Sequence, residues 1–472
     1  MDTIFKTVPD LGKTIARFTL LKRLLLAAFL AVVIANISGR ASGGDNLQDK
    51  FNVAARLGVR LFKDPRFATP KGDLPASCSH CHLLDEDPQG IRAHTDFLAR
   101  SWVSYRLGDP RRDELRNSPT LFDVARMPRL HFDGEFDSLE QLVRGTLSGR
   151  PMGWLPGEQQ EAFEQIRRTV LGDTGDPKRA RSSYREQFKQ AYGVTLDGLS
   201  RDEVVEWVAR AISDYVRTLN SERSTPYDAF IALNGLETEP GKGDQVKLFA
   251  ARLLTRISIL ETEGKLRLAK GFDSTALAGM KVFLRTEGSQ SVGNCVSCHA
   301  PPLFTDFSFH NMGISQLEYD KLHGEGSFAE LQIPGAAEAV RPSHQFRETP
   351  SKRKPGEVDL GYWNFADVKA SPLRRGGESG DEFLRRMIAT FKTPTLRHLG
   401  FTPPYMHNGA FGTLEDALSE LIELSDMSRA GRIREGDDEL AKIRIRPDEI
   451  PPLVAFLNSL NQDLTPKRRT AD

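Results

Sequence analysis

All four cysteines of the chain fall into one repeated pattern, Cys78-Ser79-His80-Cys81-His82 and Cys295-Val296-Ser297-Cys298-His299. Two thiols three residues apart can form thioethers to both vinyl groups of one porphyrin. The histidine that follows can reach its iron, for which imidazole is a good ligand. Two other chemistries use Cys-x-x-Cys. A redox dithiol needs only the pair, and two pairs brought together make a four-cysteine zinc site. The fifth residue separates these readings: composition alone places a C-x-x-C-H on the order of 10⁻³ times in such a chain, yet it occurs twice and uses every thiol. The expected cofactors are therefore two covalently bound c-type haems, attached through Cys78, Cys81, Cys295 and Cys298 and ligated by His82 and His299.

Each site needs an element in front of it. From Asn46 to Phe62, apolar residues recur at three and four residues (Leu47, Phe51, Ala54, Ala55, Gly58, Leu61, Phe62), which describes an amphipathic helix. A second such run, Leu277, Gly279, Met280, Val282, Phe283, precedes the other site, and Gly58-x-x-Leu61-Phe62 aligns with Gly279-x-x-Val282-Phe283. The repeat goes on. Ser118-Pro119-Thr120-Leu121 matches Thr393-Pro394-Thr395-Leu396, and thirteen residues after each proline come Phe132-Asp133-Gly134-Glu135-Phe136-Asp137-Ser138-Leu139-Glu140 and His407-Asn408-Gly409-Ala410-Phe411-Gly412-Thr413-Leu414-Glu415. Ser138 and Thr413 are placed to cap helices with early acidic residues. A helix closes each copy, over Glu203–Asn220 and Glu449–Asn461.

The fold class that follows is all-α, with two homologous helical haem domains: residues 44–234 and residues 235–472, divided where Gly235 to Asp244 carries Gly, Pro and charge without apolar period. The second copy holds an insertion at about 301–390, with about 90 residues between its C-x-x-C-H and its TPTL against about 35 in the first. Its polar stretches at 341–357 and 371–381 read as surface loops or a partner-docking region, and it contains Asp359-Leu360-Gly361-Tyr362-Trp363-Asn364.

Composition bounds the rest. The 472 residues are 39% hydrophobic and carry no net charge, but residues 1–43 hold six basic and two acidic side chains, so the remainder is mildly acidic. No basic stripe is available to neutralise phosphates, which excludes nucleic acid as partner. Residues 24–37, LLLAAFLAVVIANI, follow Lys22 and Arg23 and precede small residues, the arrangement of a secretory signal. Residues 1–43 are thus a signal peptide, or an N-terminal anchor with residues 18–37 in the inner membrane. In both cases the folded part is expected in the periplasm, where c-type haem is attached.

With two C-x-x-C-H domains, RNSPTL at 116–121, FDGEFDSLE at 132–140 and TPTLR at 393–397 leading to PPYMHNG at 403–409, the chain resembles the bacterial dihaem cytochrome c peroxidase and MauG family over roughly residues 48–462. The resemblance implies two cytochrome c-like helical domains packed around two haems, with His82 and His299 as proximal ligands. It also implies a calcium ion between the domains, held by the Asn117 side chain and the carbonyls of Thr402 and Pro404, oxygen donors that suit a hard cation. Hydrogen peroxide would be the substrate, a small redox protein or other donor would supply electrons, and a second copy of the chain is a candidate partner in a homodimer. Three positions depart from the family. Phe132 stands where the peroxidases have an inter-haem tryptophan, Pro151 where a glutamate assists peroxide cleavage, and Leu421 where the C-terminal haem has its Met or Tyr ligand. Met427 is the nearest alternative to Leu421, His94 is a candidate distal ligand or pocket residue at the N-terminal haem, and His94 and Arg150 are the nearest substitutes for the lost carboxylate.

The leading reading is a peroxidase-like oxidoreductase in which one iron meets the oxidant and the other relays electrons. MauG-like oxidation of a protein substrate is a variant that the missing Tyr ligand disfavours. The competing class is a non-enzymatic dihaem electron carrier or redox sensor that keeps the scaffold without the peroxide chemistry.

Overall fold

The computed structural model describes residues 53–72, 76–84, 93–95, 106, 109, 115–179, 181–221 and 223–462. The expected export segment lies outside these residues. So do residues 46–52 of the first expected helix.

The described residues are mostly helical, with two small antiparallel strand pairs: β1 (Leu83–Leu84) with β2 (Ala93–Thr95), and β3 (Phe309–His310) with β4 (Phe391–Lys392). The N-terminal half contains α1 (residues 53–62), the single-turn α2 (Cys78–Cys81), α3 (Leu139–Leu147), α4 (Gln159–Gly172), α5 (Tyr184–Tyr192) and α6 (Arg201–Val216). The C-terminal half contains α7 (Pro226–Leu233), which precedes the expected boundary at Gly235 but packs into the second core through Tyr227, Phe230 and Ile231, then α8 (Val246–Thr262), α9 (Ser274–Leu284), α10 (Ile314–His323), α11 (Gly380–Arg386), α12 (Leu414–Arg429) and α13 (Ile450–Asn458).

Local chemistry sets the helix ends. Ser138 Oγ accepts from the Gln141 amide at the start of α3, and Thr413 Oγ1 from the Asp416 amide at the start of α12. Ser200 and Glu203 form a reciprocal capping box at α6. That helix stops at Val216, short of Asn220, because the chain tightens into i→i+3 bonds (Thr218 to Tyr215, Leu219 to Val216) and the Thr218 hydroxyl takes the Tyr215 carbonyl at 2.6 Å. Likewise α13 begins after a 3₁₀ turn at Pro447–Glu449 and ends at Asn458.

One apolar core gathers residues between Ala54 and Leu219, and a second gathers residues between Tyr227 and Leu460. In each, a glycine lets the helix before the C-x-x-C-H lie against the closing helix. A Cβ on Gly58 would stand 2.1 Å from the Ala211 carbonyl oxygen of α6, and one on Gly279 would stand 1.9 Å from the Pro452 carbonyl oxygen of α13. Only glycine permits either approach.

The polar stretches at 341–357 and 371–381 lie largely at the surface, as expected, but the inserted region holds more than loops. It has its own core, in which Phe328, Phe346, Val358, Leu360, Trp363 and Phe383 are almost fully buried. Charged residues of the insertion meet counter-charges across the molecule: Arg116 of the N-terminal half pairs with Asp359 (2.6 and 2.7 Å) and with Asp133 (2.6 Å), and Arg347 reaches Glu135 (2.9 Å) and Asp133 (3.3 Å). The Arg116 pairs, nearly desolvated, hold only with good geometry.

Candidate haem sites

In the N-terminal half the packing leads from Gly58 to the expected iron ligand, His82. Because α1 sits so close to α6, Phe62 meets Tyr215 edge-on at 5.3 Å and its other side faces the His82 ring at 6.2 Å. His82, Cys78 and Cys81 line a cavity of about 740 Å³ with Phe62, Phe136 and Val143, a volume that takes a cofactor-sized ligand. Burial pushes the Cys78 thiol up to about 12. A reactive dithiol needs the opposite shift.

In the C-terminal half the aligned residues do the same work by another contact. Phe283 packs against Phe456 and Phe304, at 5.0 and 5.9 Å, and the Phe304 carbonyl accepts a hydrogen bond from His299 Nδ1 at 2.9 Å. With Nδ1 donating, Nε2 is the nitrogen left for iron. The TPTLR motif clamps this loop. Thr395 Oγ1 donates to the Leu303 carbonyl (2.6 Å), Arg397 Nε to the Pro302 carbonyl (2.6 Å), and the Thr305 hydroxyl to the Thr393 carbonyl (2.7 Å). Arg397, itself 1% exposed, is neutralised by a bidentate pair with Asp228 at 2.9 Å. Cys295 is also pushed up to about 12 by burial.

The zinc alternative fails on geometry. Among the described residues, the groups close enough to hold a metal contain at most one cysteine: Cys298 with Asp306 and His310, and His131 with Asp133 and Glu135. In the first, burial opposes charge on His310, yet hydrogen bonds to Asp306 (2.8 Å) and Asp437 (2.6 Å) raise it to about 12. Both of its nitrogens are occupied. Two thiols, a correctly oriented imidazole and, at the first site, a cavity fit covalent haem.

The remaining expected residues divide. Asn117 and Pro404 come together, with Asn117 Nδ2 donating to the Pro404 carbonyl at 2.5 Å and the Asn117 amide donating to the His407 carbonyl at 2.7 Å. Asn117 Oδ1 is buried without a hydrogen-bond partner. Thr402 lies two residues away, half-buried at the end of a 3₁₀ turn. Phe132 and Pro151 both line the N-terminal cavity, so no indole or carboxylate stands at those two places. Arg150 also lines it but is paired with Asp109. The backbone of His94 lies in β2 beside β1, which directly follows His82; its side chain lies outside what is described. Leu421 and Met427 both lie on α12 and pack against the C-terminal core.

Residues that the sequence reading passed over also line the cavity: His131, Glu135 and, from the insertion, His344, Arg347 and Glu348. His131 Nδ1 lies 3.3 Å from Glu135 Oε2. Burial opposes charge on Glu135, but the His131 hydrogen bond and the Arg347 charge hold its carboxyl down at about 2. The available signal was a His and a Glu four residues apart, either side of Phe132.

Comparisons with known proteins agree with this architecture. Residues 52–236 match the family model described as di-haem cytochrome c peroxidase. Over 454 residues the chain is 23% identical to cytochrome-c peroxidase IdrP2 of Denitromonas iodatirespirans, covering 95% of this chain and 93% of that one. It is 22% identical over 415 residues to methylamine utilization protein MauG of Methylophilus methylotrophus, covering 86% and 82%. The crystal structure of the diheme peroxidase BthA from Burkholderia thailandensis E264 covers 88% of each chain with a TM-score of 0.53 at 20% identity, a likeness of fold. Paired attachment motifs, a di-haem cytochrome c peroxidase family model over the N-terminal half and similarity to cytochrome-c peroxidases and MauG proteins along nearly the whole chain make this protein an oxidoreductase of peroxidase-like kind.

Proposed function

We propose that the protein is a periplasmic dihaem enzyme that reduces hydrogen peroxide with electrons from a small redox protein. The observation that carries this reading is the cavity of about 740 Å³ lined by Cys78, Cys81 and His82 together with His131, Glu135 and Arg150. Haem, when bound, supplies the iron redox chemistry. The chain attaches it through thioethers, ligates it through His82 and His299, and positions it by the Gly58 and Gly279 crossings. Residues 24–37 support export. Calcium between the halves is supported by Asn117 Oδ1, buried and unbonded beside the Pro404 carbonyl.

Pyridine haemochrome assay should return two haems per chain, and the reduced protein should be reoxidised by stoichiometric peroxide. One haem, or zinc in its place, defeats the architecture. Two haems inert to peroxide favour the electron-carrier reading, which Pro151 in the cavity wall supports. Chelation should lower the melting temperature and slow electron transfer between the haems, and Asn117→Ala should do the same without chelator. If neither treatment has an effect, there is no calcium at this site.

A further inference from the structure

Pro151 removes the carboxylate from its place in the wall of the N-terminal cavity, yet peroxide cleavage needs a group that takes a proton from one oxygen and gives it to the other. The geometry points to His131 as that proton-transfer residue, oriented by Glu135, which the inserted region holds in place through Arg347. This rests on the peroxidase reading above.

Four observations converge on His131. It lines the same cavity as Cys78, Cys81 and His82. Its φ of +63° puts a non-glycine residue in left-handed backbone, a conformation that persists only where surrounding structure enforces it and that gathers at functional sites. Here the enforcement is visible: Leu130 pairs with Phe136 across the loop, and the His131 ring meets Phe136 edge-on at 4.9 Å. Glu135 is kept ionised, so it can only accept. The proton on the imidazole is then drawn to Nδ1, and Nε2 carries the lone pair. Among the described residues Nε2 has no hydrogen-bond partner.

The arrangement is a base oriented by a carboxylate, and the carboxylate is itself anchored. Arg347 Nη2 lies 2.9 Å from Glu135 and 3.3 Å from Asp133, and Asp133 is pinned from behind by Arg116. The chain thus builds from a histidine and a distant arginine what a single glutamate would supply. In the step itself, His131 Nε2 takes the proton from one oxygen of hydrogen peroxide and returns it to the other, which leaves as water when the O–O bond breaks. Two electrons, delivered singly by the small redox donor, and two protons from solvent convert the remaining oxygen equivalent to a second water and restore the starting state.

Asn tolerates left-handed backbone, so His131→Asn removes the base while keeping the loop. In the holoprotein this variant should retain two haems and lose about 100-fold in kcat/KM for peroxide, within the range of one acid–base group. A second readout needs no turnover: hydrogen cyanide, a weak acid, must shed its proton to bind in the same cavity, and its association should slow by a similar factor. Glu135→Gln should slow cyanide association about tenfold in the parent protein and not at all in the His131→Asn background, because a positioning residue acts only through what it positions. Equal losses in both backgrounds would reduce Glu135 to a structural part and overturn its assignment. A parent protein that consumes peroxide, with a His131→Asn variant equally fast in both assays, overturns His131 alone. A parent inert to peroxide overturns the functional reading and the proton-transfer step together.

Discussion

The two halves repeat one device and then part company. In both, a glycine brings the helix before the C-x-x-C-H onto the closing helix, and the phenylalanine four residues on reaches the histidine ligand: Phe62 directly, Phe283 through Phe304. The halves differ in what surrounds the ligand. The second half spends its polar groups on its own loops, as TPTLR clamps Pro302–Thr305 and His310 is bonded through both nitrogens. The first half turns its polar groups outward to a cavity and to its neighbour: Asn117 to Pro404, Arg116 to Asp359, Glu135 to Arg347. Duplication has kept the attachment chemistry, and divergence has acted on which groups remain available.

The largest effect should come from breaking that joint. Arg116, with 9% of its side chain exposed, neutralises both Asp133 and Asp359, which are 0% and 1% exposed. Arg116→Ala leaves two buried carboxylates without their main partner and should cost about 3–5 kcal/mol or more in denaturant titration. Arg397→Ala in the second half strands only Asp228, which keeps its bonds to Thr225 and is more exposed, so its cost should be smaller. Equal losses would show that the joint is no more critical than the clamp.

Next come the paired glycines. Gly58→Ala and Gly279→Ala each drive a methyl to within about 2 Å of a backbone carbonyl, where no side chain can swing away. Each should cost about 1–3 kcal/mol, outweighing the gain in helix propensity of about 1 kcal/mol. Gly172, exposed with nothing within 4 Å, is the control, and Gly172→Ala should be neutral or slightly stabilising. The glycine variants also test locality: Gly58→Ala should perturb only the spectrum of the haem at His82, and Gly279→Ala only that at His299. Cross-talk in both directions would mean the halves do not act as separate scaffolds.

What could be read in the sequence follows from how local its cause is. The caps at Ser138 and Thr413 and the glycine repeat depend on residues a few positions apart, and each is where the spacing put it. Helix ends such as Val216 depend on a competition between hydroxyl and amide that spacing does not resolve. The role of the insertion was hidden because its partners are 212 and 243 residues away, for Arg347 with Glu135 and Arg116 with Asp359. A polar stretch reads as solvent-facing unless its counter-charges are known. His131 is hard to see in the sequence because the pair it makes with Glu135 occupies neither the place of Phe132 nor that of Pro151.

The finest test of the joint is a titration. His398, at 0% exposure and φ +66°, lies between the halves: Nε2 meets Ser221 Oγ at 3.0 Å, Ser221 donates to Asp123, and Nδ1 accepts from the Gln462 amide at 3.3 Å. Burial lowers its pKa to about 4 from 6.5, and a proton on Nδ1 would face the Gln462 amide hydrogen. Between these values the unfolded chain binds the proton and the folded one does not. Stability therefore rises with pH across this window and falls on acidification from about 6.5 to about 4, with a slope from this residue approaching about 1.4 kcal/mol per pH unit. His398→Asn keeps the left-handed backbone and removes the titration, so the stability difference between parent and variant should shrink as pH falls through that window and level off below it. A difference that stays constant from pH 7 to 4 would show that His398 takes up its proton in the folded state as readily as in the unfolded one, and that the junction admits water.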